Sequence, residues 1–239
     1  MRNKSIKRSR LPFVLVNMAI TADGKIATAN RAVHSFGSAR DLEHLYELRA
    51  TADAVICGAR TLEISGATLG NGGKRFRALR RKRGLSDFPL RVIVSGSGSI
   101  DPRAKIFQKS FSPIVLLTTK RAGSKRLAKL RQLSNEVKVG GARSIDFRSA
   151  LRWLRSKWKV RRLLCEGGGE LNAALFQERL VDELHLTICP KIFGGKSAPT
   201  IADGVGVAQL GQAFALQLKS FNRVGDEIFA IFRRRKRSS

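Results

Sequence analysis

The sequence predicts a single α/β domain: a mixed, mostly parallel sheet flanked by helices and ending in an antiparallel β-hairpin. Short apolar or β-branched runs alternate with helical patterns through residues 13–189, which is the rhythm of strands joined by crossover helices. Within 163–206 the order is strand, glycine loop, helix, strand, glycine loop. From residue 213 the rhythm breaks into two long alternating runs, AFALQLKSF and EIFAIF, separated by a turn segment containing Gly225. That pattern is a hairpin rather than another crossover.

The first strand is expected at 13–18. Ser38 is placed to cap a helix over 39–49, with Asp41 at the capping-box position and Leu42, Leu45, Tyr46 and Arg49 on one face. Further strands are expected at 54–57, 90–94, 114–118, 136–139, 162–165 and 183–189, each bounded by turn residues. Helical spacing marks 127–133, 147–158 and 171–180; in the second of these Phe147, Ala150, Leu151 and Leu154 recur on one side. The folded domain is expected to span 11–232, with basic tails at 1–10 and 233–239.

Composition narrows the function classes. At 239 residues one sizeable core suffices. Cys57, Cys165 and Cys189 sit inside apolar runs without CxxC spacing, which suits buried, reduced thiols and gives no metal site. No apolar run approaches a membrane span, and the N-terminal MRNKSIKRSR lacks the apolar core of a secretory signal, so a cytoplasmic protein is expected. The balance of 46 Lys and Arg against 18 Asp and Glu gives a net charge of +28, which attracts polyanions in a salt-dependent way. Basic residues cluster at both ends and in KRFRALRRKR at 74–83, so a nucleic-acid binder is one reading. Against it, no aromatic residues interleave with these charges as a base-stacking platform requires.

The chemistry-bearing motif is LLCEGGGELNAALF. An apolar run ends in Gly167, Gly168 and Gly169 and opens at once into a helix, giving a phosphate access to unhindered N–H groups. The spacing is not GxGxxG, and a plain glycine turn fits it too. Two further blocks stand upstream: NMAITADGKIA from Asn17 and LRATADAVICGART from Leu48. In this order the three blocks resemble the pyrimidine reductases of riboflavin biosynthesis, a family with a dihydrofolate reductase-like fold. The resemblance spans most of the chain.

It implies reduction of a phosphoribosylamino-pyrimidine to the ribitylamino product, with NADPH delivering hydride to C1 of the sugar, in a homodimer. It implies cofactor contacts from Gly167, Gly168, Gly169, Glu170 and Leu171, from Thr61, and from the turn at Ser95 and Gly96. Arg60 is a candidate partner for a 2′-phosphate or a solvated loop charge. Glu166 and Asp23 are the candidate catalytic carboxylates. Glu166 ends a buried strand, where a carboxylate needs a donor: a pyrimidine edge, or one of the many arginines. Asp23 also suits an ordinary Asp-Gly turn. Asn17, Lys25 and Arg49 match substrate positions, Arg49 through a planar fork suited to phosphate.

The sequence departs from the family after Thr61. Ser65 stands where the family's first aspartate is usual, and a long basic insertion follows, in which Lys74 or Arg75 is the candidate replacement for a phosphate contact. No H-x-E with a later P-C-x-x-C is present, so zinc-dependent deamination is not expected. The substrate base is left open between the diamino-pyrimidinone and the amino-uracil. A related reductase of another heterocycle is the other enzyme reading.

Overall fold

The computed structural model describes residues 11–32 and 36–235; the stretches 1–10, 33–35 and 236–239 lie outside the described residues. In chain order the elements are β1 (Phe13–Thr21), α1 (Ala39–Arg49), β2 (Ala54–Gly58), α2 (Ala59–Ser65), α3 (Lys74–Lys82), β3 (Leu90–Val94), β4 (Ile114–Thr118), α4 (Gly123–Leu133), β5 (Glu136–Val139), α5 (Phe147–Lys157), β6 (Arg162–Cys165), α6 (Gly169–Gln177), β7 (Glu183–Cys189), β8 (Leu216–Val224) and β9 (Glu227–Arg234). Among the described residues they form one nine-stranded sheet in the order β5-β4-β3-β2-β6-β1-β7-β9-β8. Neighbours from β5 to β7 are parallel, whereas β9 runs antiparallel to β7 and β8 antiparallel to β9.

The central strands are mostly apolar because both faces are covered, with Asn17 of β1 and Arg91 of β3 buried among the apolar residues. On one face Val14, Ile56, Val92 and Leu163 pack against Leu151 and Leu154 of α5 and Leu175 of α6. On the other, Leu15, Val55 and Ile93 meet Leu48 of α1, Leu62 of α2 and Leu130 of α4. Each fully buried Leu or Ile contributes about 1.5–3 kcal/mol. Because β1, β2, β3 and β6 are mutually parallel, the residues following them emerge at one edge of the sheet, where ligands of open α/β sheets bind.

The mixed sheet and the terminal hairpin match the sequence expectation; the details correct it in four places. β1 extends to Thr21, and β9 runs through Arg234, so Arg233 and Arg234 are strand residues rather than tail. Helices α2 and α3 occupy the stretch after β2 where no helix was expected. α3 buries Phe76 and Arg80 one turn apart, and an arginine in a core position hides the helical period. Finally, Asp41 does not close a capping box: the N–H and Oγ of Ser38 donate to Glu227 at 2.7 and 2.6 Å, while Ser38 Oγ accepts from the Asp41 N–H.

Candidate active site

A cleft of about 840 Å³ opens at the carboxyl edge of the parallel strands. Its two ends are built differently. One is backbone: Gly58 at the end of β2, Ser95 and Gly96 after β3, and the start of α6 after β6. The other is side chain: Asn17 from β1, Asp41 and Arg49 from α1, and Glu166 beyond β6.

At the glycine end added side-chain atoms meet close neighbours. Gly167 has φ +83°, and a Cβ there would lie 2.8 Å from Met18 Sδ. A Cβ on Gly168 would come to 2.8 Å from Thr61 Oγ1, and one on Gly169 to 2.6 Å from the Thr200 carbonyl oxygen. The Gly167–Gly168 peptide is cis. Gly168 caps α6 with no side-chain hydrogen bond, so the first-turn N–H groups of the helix have no side-chain partner from their cap. Opposite them, Thr119 Oγ1 donates to the Gly96 carbonyl at 2.7 Å and Ser95 Oγ donates to the Ser99 carbonyl at 2.8 Å, which fixes that turn. Exposed Arg60 and Arg121 add positive charge to the same lining. A narrow glycine cradle, free helical N–H groups and two cations suit the phosphates of a dinucleotide.

At the other end, Arg49 and Glu166 form a bidentate pair: Nε and Nη2 each donate to one carboxylate oxygen at 2.6 Å, and Nη1 donates to the Gly70 carbonyl at 2.8 Å. Both side chains are about nine-tenths buried. Burial works against the Arg49 charge, and Glu166 more than offsets it, holding the guanidinium above its ordinary range. Arg80, fully buried, donates through Nη1 to the carbonyls of Arg49 and Ala52 at 2.5 and 2.6 Å. Burial pushes the Arg80 pKa down to about 10, with the Asp53 and Asp87 carboxylates opposing the shift from nearby. Asn17 is buried with Oδ1 lacking a hydrogen-bond partner among the described residues.

Of the residues singled out in the sequence, Asn17, Arg49, Thr61, Ser95, Gly96, Glu166, Gly168, Gly169, Glu170 and Leu171 line this one cleft. Gly167 stands behind the wall, its carbonyl accepting from the Gly58 N–H at 3.0 Å. Asp23, Lys25, Lys74 and Arg75 do not line it. Asp23 accepts from Thr21 Oγ1 at 2.5 Å and from the N–H groups of Phe193 and Gly194, bonds that hold its carboxyl below the usual range and tie down a loop. Lys25 Nζ reaches the Ala198 carbonyl at 3.4 Å. Arg75 pairs with Glu43 on α1, and Lys74 is exposed beside it at the start of α3. Sequence reasoning missed Asp41, Arg121 and Asp203 as lining residues; the motif IADGVG, with an aspartate before glycine, was the available signal for the last.

Burial pushes the Cys165 and Cys189 thiols up to about 12 and holds the Cys57 thiol, at the cleft wall, well above its ordinary value, so all three are unreactive packing groups. Among the described residues no helix is long and apolar enough to cross a membrane.

The family model for the RibD C-terminal domain matches residues 12–230. The chain belongs to the RibD C-terminal domain family. Among curated relatives, a protein of Methanothermobacter thermautotrophicus named 2,5-diamino-6-ribosylamino-4(3H)-pyrimidinone 5′-phosphate reductase is 33% identical over 217 residues, covering 91% of this chain and 95% of the relative. A protein of the same name from Archaeoglobus fulgidus is 30% identical, with 89% and 99% covered. Among solved structures, a pyrimidine reductase-like protein of Corynebacterium diphtheriae superposes with a TM-score of 0.82 at 21% identity, covering 94% of this chain and 92% of that one. The RibD-family fold, dihydrofolate reductase-like, is therefore the frame on which the cleft is built.

Proposed function

We propose that the protein reduces 2,5-diamino-6-ribosylamino-4(3H)-pyrimidinone 5′-phosphate to its ribitylamino product, using NADPH, as a cytoplasmic homodimer in riboflavin synthesis. The observation that carries the reading is one continuous cleft joining a glycine cradle and helix start to a buried arginine–carboxylate pair and an unpartnered amide oxygen. The choice of the diamino base follows the name shared by relatives that match over nearly their whole length.

When bound, the dinucleotide supplies a hydride to the ribosyl C1. The backbone at Gly168 to Leu171 holds its phosphates, and Thr61, Ser95 and Gly96 line the same side. Arg60 and Arg121 supply the cationic surroundings that a 2′-phosphate favours. Asn17 Oδ1 accepts from a donor on the pyrimidine. Arg49 and Glu166 form a rigid wall at the side-chain end, preorganised because each fixes the other.

The test is NADPH binding by fluorescence, followed by NADPH oxidation with the diamino and the amino-uracil ribosyl phosphates. Binding that Gly168→Asp abolishes, with turnover favouring the diamino substrate, is the expected result. A folded wild-type protein that does not bind NADPH overturns the proposal.

A further inference from the structure

Two polar atoms in the cleft lining are sealed from solvent with no hydrogen-bond partner among the described residues: Asn17 Oδ1 and Asp41 Oδ1. Both are acceptors. A buried, unpaired acceptor is costly, and two of them on residues that line one cleft call for a ligand edge that presents donors. Glu166, the carboxylate that the sequence offered for this task, has both oxygens engaged by Arg49. The other carboxylates of the lining differ from Asp41. Asp203 accepts from the N–H and Oγ1 of Thr200, Glu63 accepts from the Asp101 N–H, and Glu170 is exposed.

The sheet register places the two acceptors together. Asn17 and Ala19 point to the same face of β1, and Ala19 pairs with Thr187 of β7, whose side chain lies against Asp41. Asp41 therefore stands above the same face as Asn17, about 7 Å along the strand. Burial, with the Glu227 carboxylate nearby, raises the Asp41 pKa against a hydrogen bond with the Thr187 hydroxyl, and Oδ1 is left without a partner among the described residues. A donor-bearing ligand relieves this arrangement.

We infer that Asp41 is the specificity-determining residue of the cleft, accepting hydrogen bonds from the ring N3–H and the exocyclic 2-amino group of the diamino-pyrimidinone. The amino-uracil carries a carbonyl at C2 in place of that amino group. It would set a lone pair against the carboxylate, and a site with an unpaired buried acceptor rejects such an analogue. The inference rests on the proposed substrate class, and it names the side chain that chooses between the two bases.

The experiment uses the full chain and two base fragments, 2,5,6-triaminopyrimidin-4(3H)-one and 5,6-diaminouracil, with Kd measured by calorimetry in the absence of dinucleotide. Wild type is expected to prefer the triamino base. Asp41→Asn is expected to lose roughly tenfold or more of affinity for that base while changing the uracil little, because one accepting oxygen becomes a donor. Removing a charge beside Glu227 should leave the melting temperature unchanged or higher. Asp41→Ser serves as a second, smaller replacement if the first fails to fold. Equal preference in wild type, or a preference retained in either folded variant, overturns the inference. Turnover of NADPH with either ribosyl phosphate judges the reductase reading separately, so the two can fail independently.

Discussion

The two ends of the cleft show two ways of making a site. The glycine end is defined by what the backbone excludes: no Cβ fits at Gly168 or Gly169 without displacing Thr61, Asp203 or the Thr200 carbonyl. The other end is defined by long side chains that hold one another, Arg49 on Glu166 and Gly70, with Arg80 beneath them on the Arg49 carbonyl. The first kind depends on consecutive residues, the second on residues far apart in sequence. Damage should therefore spread differently. A change at the glycine end affects ligand approach, whereas a change at the arginine end strands a buried charge and loosens the fold.

The sharpest break of this contrast is Arg49→Met. It leaves Glu166 buried without its cation, which costs about 3–5 kcal/mol. Thermal melting should fall steeply, and turnover should be lost even at temperatures where the variant remains folded. A variant that melts like wild type would mean that Glu166 finds another donor, and that this end is not built as a closed pair.

Next in size are the glycine replacements, which separate shape from ligand access. At Gly169 an added Cβ meets backbone, the Thr200 carbonyl oxygen at 2.6 Å, so Gly169→Ala should cost about 1–3 kcal/mol in melting experiments. At Gly168 the obstacle is the Thr61 hydroxyl, which can turn away. Gly168→Ala should melt within about 0.5 kcal/mol of wild type. It should bind NADPH more weakly all the same. Equal melting of the two alanine variants would erase the distinction.

The same contrast governs what the sequence discloses. Three adjacent glycines between an apolar run and a helical pattern are visible without any tertiary knowledge, and Gly168 to Leu171 line the cleft as expected. Strands buried on both faces are equally legible, because their apolar runs need no partner to be seen. The pairing of Arg49 with Glu166 spans a separation of 117 residues, so the sequence offered Glu166 a pyrimidine edge or an arginine without saying which, and offered Arg49 a phosphate. Arg80 concealed α3 by placing a cation where the helical period asks for an apolar residue. Asp41 read as a capping residue because its spacing from Ser38 fits, yet Glu227, from the far hairpin, takes that role. Asp23 and Lys25 matched a motif, and the structure engages both with a distant loop, at Gly194 and Ala198, 171 and 173 residues further along the chain.

The smallest expected effect comes from a pair of histidines on the side-chain-built half. His44 of α1 and His185 of β7 share a hydrogen bond, Nε2 to Nδ1 at 3.0 Å, and His185 Nε2 meets Glu183 Oε1 at 2.9 Å. Burial is the main reason both pKa values lie below the ordinary 6.5; at His44, Glu47 opposes it and Arg40 assists, and at His185, Glu183 opposes it while His44 and Arg162 assist. The unfolded chain then takes up protons near pH 6.5 while the folded chain resists them, so stability is complete above that pH and declines as pH falls toward the depressed folded values. Wild-type melting temperature should drop between pH 7 and about 5, and His44→Gln should make the decline shallower. Because His44 shares α1 with Arg49, hydrogen exchange corrected for intrinsic rate should show α1 losing protection in acid before α6 does. Simultaneous loss in both helices would mean that the two halves of the cleft open as one unit, and the contrast between them would then hold for ligand binding but not for stability.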